Sequence, residues 1–121
     1  MKFAFAGIDF LGDVFEALLA AGWEPVKLFT RPCDNVYDFN DVTVARARSL
    51  RLPVQTSRIR TADLAALKAS GCEALVVAGY PWLVKEWEPF LAYGLNFHPS
   101  PLPHGRGPYP LFQAILEGVP A

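Results

Sequence analysis

Asn96 and His98 stand two residues apart in a short apolar run, residues 95–98, that predicts a β-strand. Side chains two apart on a strand point to the same face, so the amide and the imidazole emerge side by side. An amide N–H can donate to a developing oxyanion, and an imidazole can donate a hydrogen bond or move a proton. The pair therefore suits acyl transfer, although a strand-end Asn and His more often cap neighbouring backbone groups.

The segment that follows this pair is rich in proline and glycine. Three of its first five residues are proline, which restricts the shape of the loop and lowers the entropy of its unfolded form. Gly105 and Gly107 permit close backbone approach or a positive φ. A loop of this kind suits a wall that faces a ligand, and an ordinary connecting loop is the common alternative.

Strand and helix signals alternate along the chain. Short apolar runs that end in turn residues predict strands over residues 3–6, 24–30, 53–55, 73–78 and 95–98. Helical spacing and capping residues predict helices over residues 10–21 (capped by Asp9), 41–50, 61–71 (capped by Thr61), 84–91 as a short helix or turn, and 111–118. The alternation predicts an α/β fold: a Rossmann-like parallel sheet with right-handed crossovers and helices on both faces. Ligands of such sheets bind beyond the carboxyl ends of the strands, where residues 7–11, 78–83 and 96–110 should meet.

Composition narrows the class of protein. The chain has 121 residues, of which 52% are hydrophobic and 19% are charged, as expected of one domain with a packed core. The net charge of −1 predicts no general attraction to nucleic acid or to anionic membranes. Cys33 and Cys72 fit neither a disulfide framework nor a metal site. Together with the absence of a signal-peptide pattern or a long apolar stretch, these two thiols predict a cytoplasmic protein.

The motif over residues 96–103, Asn-Phe-His-Pro-Ser-Pro-Leu-Pro, resembles the Asn-x-His-Pro-Ser-Leu-Leu-Pro signature of the formyltransferase family. Residues 106–110, Arg-Gly-Pro-Tyr-Pro, resemble the Arg-Gly-x-x-Pro stretch that opens a helix in that family, and residues 5–10 are similar to its opening. The resemblance extends over nearly the whole chain. It implies that residues 1–121 form the amino-terminal, Rossmann-like domain of a formyltransferase, truncated at its carboxyl-terminal end.

The resemblance implies transfer of a formyl group from 10-formyltetrahydrofolate, a co-substrate, to an amine, without a metal. Asn96 and His98 match two members of the family's catalytic Asn-His-Asp set, with Asn96 stabilising the oxyanion and His98 assisting proton transfer. No residue matches the Asp, which follows a further strand in the family, so the 121-residue chain alone is expected to be inactive. The resemblance assigns donor binding to Gly79, Tyr80, Pro81, Trp82, Leu83 and Ser100. Two departures bear on the folate pocket: Gly79-Tyr80 replaces Tyr-Gly, and Pro101 replaces a leucine.

The acceptor is predicted from the charge of residues 31–41, which include three aspartates and one arginine. Relatives that act on tRNA tend to be basic here, which suits contacts with phosphates, whereas this loop would repel them. The sequence therefore favours a small amine acceptor such as an amino sugar over tRNA. A hydrolase of the formyl donor and a non-catalytic folate- or nucleotide-binding fragment are the alternatives. A dinucleotide site is not expected, because residues 7–12 lack a Gly-x-Gly-x-x-Gly motif.

Overall fold

The computed structural model describes residues 1–97, in which five strands and three α-helices alternate. The strands are β1 (Lys2–Gly7), β2 (Glu24–Phe29), β3 (Val54–Gln55), β4 (Ala74–Ala78) and β5 (Tyr93–Phe97). The helices are α1 (Gly12–Ala20), α2 (Asp41–Ser49) and α3 (Thr61–Ala69), and a 3-10 turn, Asp9–Leu11, precedes α1. All five predicted strands are present.

The strands form one sheet in the order β3-β2-β1-β4-β5, and every neighbouring pair is parallel. The short β3, which begins after Pro53, lies at one edge, as its proline predicted. Helices cover both faces of the sheet, so the predicted α/β, Rossmann-like fold is confirmed.

The central strand β1 separates two different core layers. Phe3 and Phe5 point to the face covered by α1 and α2, where both rings contact Phe15. Ala4 and Ala6 point to the opposite face, where they pack with residues of α3 such as Leu64. We call these the α1/α2 face and the α3 face. Bulky residues therefore fill one layer and small ones the other, an alternation with the two-residue period of a strand.

Both predicted helix caps were wrong. The side chain of Asp9 does not cap the helix that follows it but accepts hydrogen bonds from the backbone N–H groups of Val42 and Thr43, at the start of α2. At α3 the N-cap residue is Arg60 rather than Thr61, and its backbone N–H donates to the carboxylate of Asp63, in the first turn of the helix, at 2.8 Å. In both cases a carboxylate satisfies amide groups that the first turn of a helix leaves without partners.

Residues 84–91 form turns rather than a helix. Glu86 adopts a positive φ of 57°, which interrupts helical geometry, and Pro89 has no N–H to donate. One turn closes where the N–H groups of Phe90 and Leu91 both donate to the carbonyl of Trp87. The predicted helix over residues 111–118 lies outside the described residues.

Within residues 1–97, no helix has the length and apolar character needed to cross a bilayer. Cys33 and Cys72 are both free thiols, and burial raises the pKa of Cys72.

Candidate functional site

Two of the three loops predicted to meet at the carboxyl edge of the sheet are in contact there. Gly79, directly after β4, has a φ of +79°, and a Cβ atom at this position would lie 3.3 Å from Cγ1 of Ile8. Glycine is favoured here for two reasons: it adopts the left-handed backbone readily, and its lack of a Cβ lets the segment after β1 approach closely. The loop after β2 joins the same edge, since the carbonyl of Phe39 accepts the N–H of Asp9 at 2.9 Å.

Asn96 lies near the carboxyl end of β5, on the α3 face. In the parallel register Asn96 is paired with Val77 of β4, a residue that packs against the core of the α3 face. The residue is exposed, and its amide makes no hydrogen bond within residues 1–97. The predicted positions His98 and Ser100 lie outside the described residues.

The predicted donor-binding segment, residues 79–83, lies on the same face and is attached to the loop after β3. The hydroxyl of Tyr80 accepts the backbone N–H of Ile59 at 3.2 Å, and burial raises the pKa of this tyrosine although the hydrogen bond opposes the shift. Its ring meets that of Trp82 edge-on, at a centroid distance of 5.4 Å. The guanidinium of Arg58 lies 5.8 Å from the centre of the Trp82 ring, a cation–π contact.

A groove of about 770 Å³ opens between this segment and the start of α3. Its charged lining residues are Arg58, Arg60, Lys85 and Glu86, which gives the groove an excess of positive charge. Its apolar lining includes Ile59, Leu64 and Leu83. The groove therefore contains one of the predicted donor-binding residues, Leu83, and it shares the α3 face with Asn96 without including it.

The loop after β2 is held by its own acidic and amide side chains. One carboxylate oxygen of Asp34 accepts three backbone N–H groups, from Val36 and the next two residues, and these bonds lower its pKa. The side-chain oxygen of Asn35 accepts the N–H groups of Asn40 and of the residue after it. Asp38 forms an ion pair with Arg31. Most of the acidic groups of this loop thus serve its internal structure.

The same loop, the adjacent 3-10 turn and the first turn of α2 display large apolar side chains to solvent. Tyr37 is the extreme case, with 91% of its surface exposed. The exposed set, which we call the loop patch, is Phe10, Val36, Tyr37, Phe39 and Val42. Hydrogen bonds of Asp9 to Phe39 and to Val42 bring these segments together, and exposed apolar side chains on adjoining segments are typical of an interaction site.

Sequence reasoning missed three features of this region. Nothing in the sequence indicated that the exposed Arg58 and Arg60 line one groove. Trp87 attracted no prediction, although its ring lies directly on the backbone of Gly94 in β5. The glycine was the available signal, because a glycine inside a strand often marks the close approach of another group.

These features define an open α/β domain whose candidate site lies at the carboxyl edge of its sheet, on the α3 face. A methionyl-tRNA formyltransferase of Paracidovorax citrulli is 35% identical over 136 residues, which cover 98% of this chain and 41% of the relative. Those of Bordetella avium and Sulfurimonas denitrificans are 36% and 32% identical, again over 98% of this chain, and over 43% and 42% of their own lengths. No family model matches the chain. The predicted resemblance is confirmed: the chain is a homologue of the formyltransferases and corresponds to their amino-terminal domain.

The chain spans about two-fifths of the length of the curated relatives it matches. The match to the Paracidovorax protein covers 136 residues, more than the 121 of this chain, so that relative carries segments here that this chain lacks.

The predicted preference for a small amine acceptor over tRNA was wrong, because the relatives are methionyl-tRNA formyltransferases. The structure supplies a physical reason for the error. Of the three aspartates counted as repelling phosphates, Asp38 is neutralised by its ion pair with Arg31, and Asp34 is bonded to backbone N–H groups of the loop. The count of acidic residues therefore reflects in part how the loop is built, and it does not identify the acceptor.

Proposed function

We propose that this chain takes part in transferring a formyl group from 10-formyltetrahydrofolate to the amino group of methionyl-tRNA. The observation that carries the proposal is the match to methionyl-tRNA formyltransferases over 98% of the chain. In the proposed reaction the amine attacks the formyl carbon, a new carbon–nitrogen bond forms, and the bond to N10 of the folate breaks. Tetrahydrofolate then leaves, and the proton lost by the amine passes to the leaving nitrogen through solvent or a side chain.

Asn96 is the proposed oxyanion donor. Its exposed amide at the carboxyl end of β5 can direct an N–H toward the formyl oxygen as negative charge develops there. His98, two residues further, is proposed to assist this stabilisation and the proton transfer. Asn96→Ala in the full-length protein should lower kcat by about a hundredfold or more, as loss of one oxyanion donor typically does. Folding should change little, because the side chain is exposed. A wild-type rate in this variant would remove Asn96 from the mechanism.

The donor is proposed to lie on the α3 face, against residues 79–83, with its tail toward the groove. A folate has an apolar, aromatic body and a tail that ends in carboxylates. The aromatic rings of Tyr80 and Trp82 suit the aromatic body. The positive charges in the groove, on Arg58, Arg60 and Lys85, suit the carboxylates of the tail. Gly79, Pro81 and Ser100 are proposed as further donor-binding positions from the family resemblance.

The acceptor proposal rests on the names of the relatives and is supported by the loop patch. Aromatic side chains stack on unpaired bases, and this stacking tolerates any base because every base has a π-face. The patch follows β2, which is three strands from β5, or about 14 Å across the sheet. That separation suits contact with nucleotides near the single-stranded, aminoacylated end of the RNA while its amine lies beside Asn96.

Donor turnover by the full-length protein, measured with and without methionyl-tRNA, tests the proposal. Formation of tetrahydrofolate should depend on the charged tRNA and should be accompanied by formylated methionyl-tRNA. Turnover of the donor at the same rate without any amine would instead support a hydrolase. Binding of the donor without turnover in either condition would support the non-catalytic alternative.

A further inference from the structure

The indole of Trp87 fills the place of a side chain at position 94 of β5. A Cβ atom on Gly94 would lie 2.7 Å from Cζ2 and 2.9 Å from Cε2 of Trp87, closer than a Cβ approaches other atoms in folded proteins. The benzene ring of the indole therefore rests on the strand backbone itself. Any larger residue at position 94 would displace the ring.

This ring is a close neighbour of Asn96. Gly94 and Asn96 are two residues apart on one strand, so both face the α3 side, about 6.6 Å apart at roughly 3.3 Å per residue. The register with β4 agrees, because Gly94 is paired with Leu75 and Asn96 with Val77, and both partners belong to the α3 face. The indole thus lies one step below Asn96, away from the carboxyl edge of the sheet.

Trp87 is only half buried, and a turn holds it in place. Its carbonyl accepts the N–H groups of Phe90 and Leu91, which closes the turn that leads into β5. Leu91 is buried in the core of the α3 face, and Phe90 packs against that core. The backbone that carries the indole is therefore anchored to the core, while the residue itself is only partly buried.

We propose that Trp87 is the floor of the donor site and selects a planar aromatic group as the part of the donor that lies beside Asn96. This inference rests on the proposed function. A flat ring lying on a strand at a glycine gives a broad, rigid surface at the level of the backbone, which a branched aliphatic side chain does not give. Aromatic rings meet such a surface in offset or edge-to-face contacts, with centroids roughly 4.5–7 Å apart. A planar pteridine is of this chemical class.

A double-variant cycle in the full-length protein separates this role from plain packing. Gly94→Ala should displace the indole and lower both the urea midpoint of unfolding and the affinity for 5-formyltetrahydrofolate, a stable isomer of the donor. In Gly94→Ala/Trp87→Leu the smaller side chain leaves space for the new methyl group, so the urea midpoint should recover. The affinity, measured by titration calorimetry, should stay at least tenfold below that of the wild type. Trp87→Phe, which keeps a flat ring, should bind within about threefold of the wild type.

Trp23→Leu is the matched control, since it removes a half-buried indole that packs on Phe3 from the opposite face of the sheet. It should lower the urea midpoint without changing the affinity. If affinity returns together with the urea midpoint in the double variant, Trp87 acts only through packing and the inference is wrong. Failure of the wild type to bind 5-formyltetrahydrofolate is a different result, which would overturn the proposed donor and the inference with it.

Discussion

Asp9 and Thr43, which are 34 residues apart in the sequence, are joined by two hydrogen bonds to one carboxylate oxygen. The backbone N–H of Thr43 donates to it at 2.8 Å and the hydroxyl at 2.6 Å. The other oxygen accepts the N–H of Val42 at 3.2 Å. An acidic group from the turn after β1 thus sits on the amino-terminal end of α2, where the helix dipole favours negative charge. The start of α2 is thereby fixed to the carboxyl edge of the sheet.

Removing this contact should destabilise the fold. Asp9→Ala leaves the N–H groups of Val42 and Thr43 without their carboxylate, and loss of a helix cap costs about 1 kcal/mol. Urea unfolding followed by circular dichroism measures the change. Asp13→Ala, which removes an exposed carboxylate on the neighbouring helix α1, should change the free energy of unfolding by less than about 0.5 kcal/mol. Equal losses in the two variants would show that the contact of Asp9 with α2 contributes nothing of its own.

The same carboxylate should make stability depend on pH in the acid range. Burial opposes ionisation of Asp9, but the hydrogen bonds from Thr43 and Val42 outweigh it and hold the pKa below its ordinary value. A lowered folded-state pKa means that the contribution is complete above the unfolded-state pKa of about 3.9. It is lost as pH falls through that value and then through the folded-state pKa. The urea midpoint should therefore fall between about pH 5 and about pH 3, and less steeply in Asp9→Asn. An unchanged slope in that variant would contradict the assignment.

The positive groove should contribute to donor affinity through its arginines. Arg58→Gln or Arg60→Gln should each weaken binding of 5-formyltetrahydrofolate by about threefold, because an exposed ion pair is worth roughly 0.2–1 kcal/mol. The loss should shrink as salt is added, since ions screen exposed charges. Arg48→Gln, an exposed change on α2 at the opposite face, is the control and should leave the affinity unchanged. Equal effects of Arg48→Gln and Arg58→Gln would mean that only net charge matters.

Tyr37 should contribute to the affinity for the acceptor and not to the free energy of unfolding. With 91% of its surface exposed, Tyr37→Ala should change the free energy of unfolding by less than about 0.5 kcal/mol. If the ring stacks on a base, affinity for methionyl-tRNA should fall about tenfold, because such stacking is worth roughly 1–3 kcal/mol. Filter binding of the charged tRNA measures this, with Tyr93→Ala as a control at an exposed tyrosine of β5. An unaltered affinity in Tyr37→Ala would exclude the loop patch from acceptor binding.

The sequence predicts those parts of the fold that depend on local pattern. The apolar runs specify all five strands, and the two-residue alternation of Phe3 and Phe5 with Ala4 and Ala6 separates the two faces of the sheet. What could not be predicted depends on partners that are distant in the sequence. Asp9 is an equally good cap for the helix that follows it, and only the folded sheet brings it to α2.

The same distinction separates the site residues that the sequence predicts from those that it does not. Asn96 was found because a short motif carries it, whereas Trp87 becomes meaningful only when it lies on Gly94. The acidic loop was misread for a related reason. A count of its charges cannot reveal that Asp34 is bonded to three N–H groups of its own loop.

The central position of β1 has a consequence for the order of folding. Its first neighbour, β2, lies close in the chain, since Phe3 is paired with Pro25, but on the other side Phe3 is paired with Ala74. Closing the longer loop costs about 1 kcal/mol more in chain entropy. During synthesis on the ribosome, β1 can pair with β2 well before β4 has emerged. Among the residues that the structure describes, Trp87 and Asn96 are synthesised after β1, β2 and β4, so this part of the candidate site joins a sheet that has already begun to form.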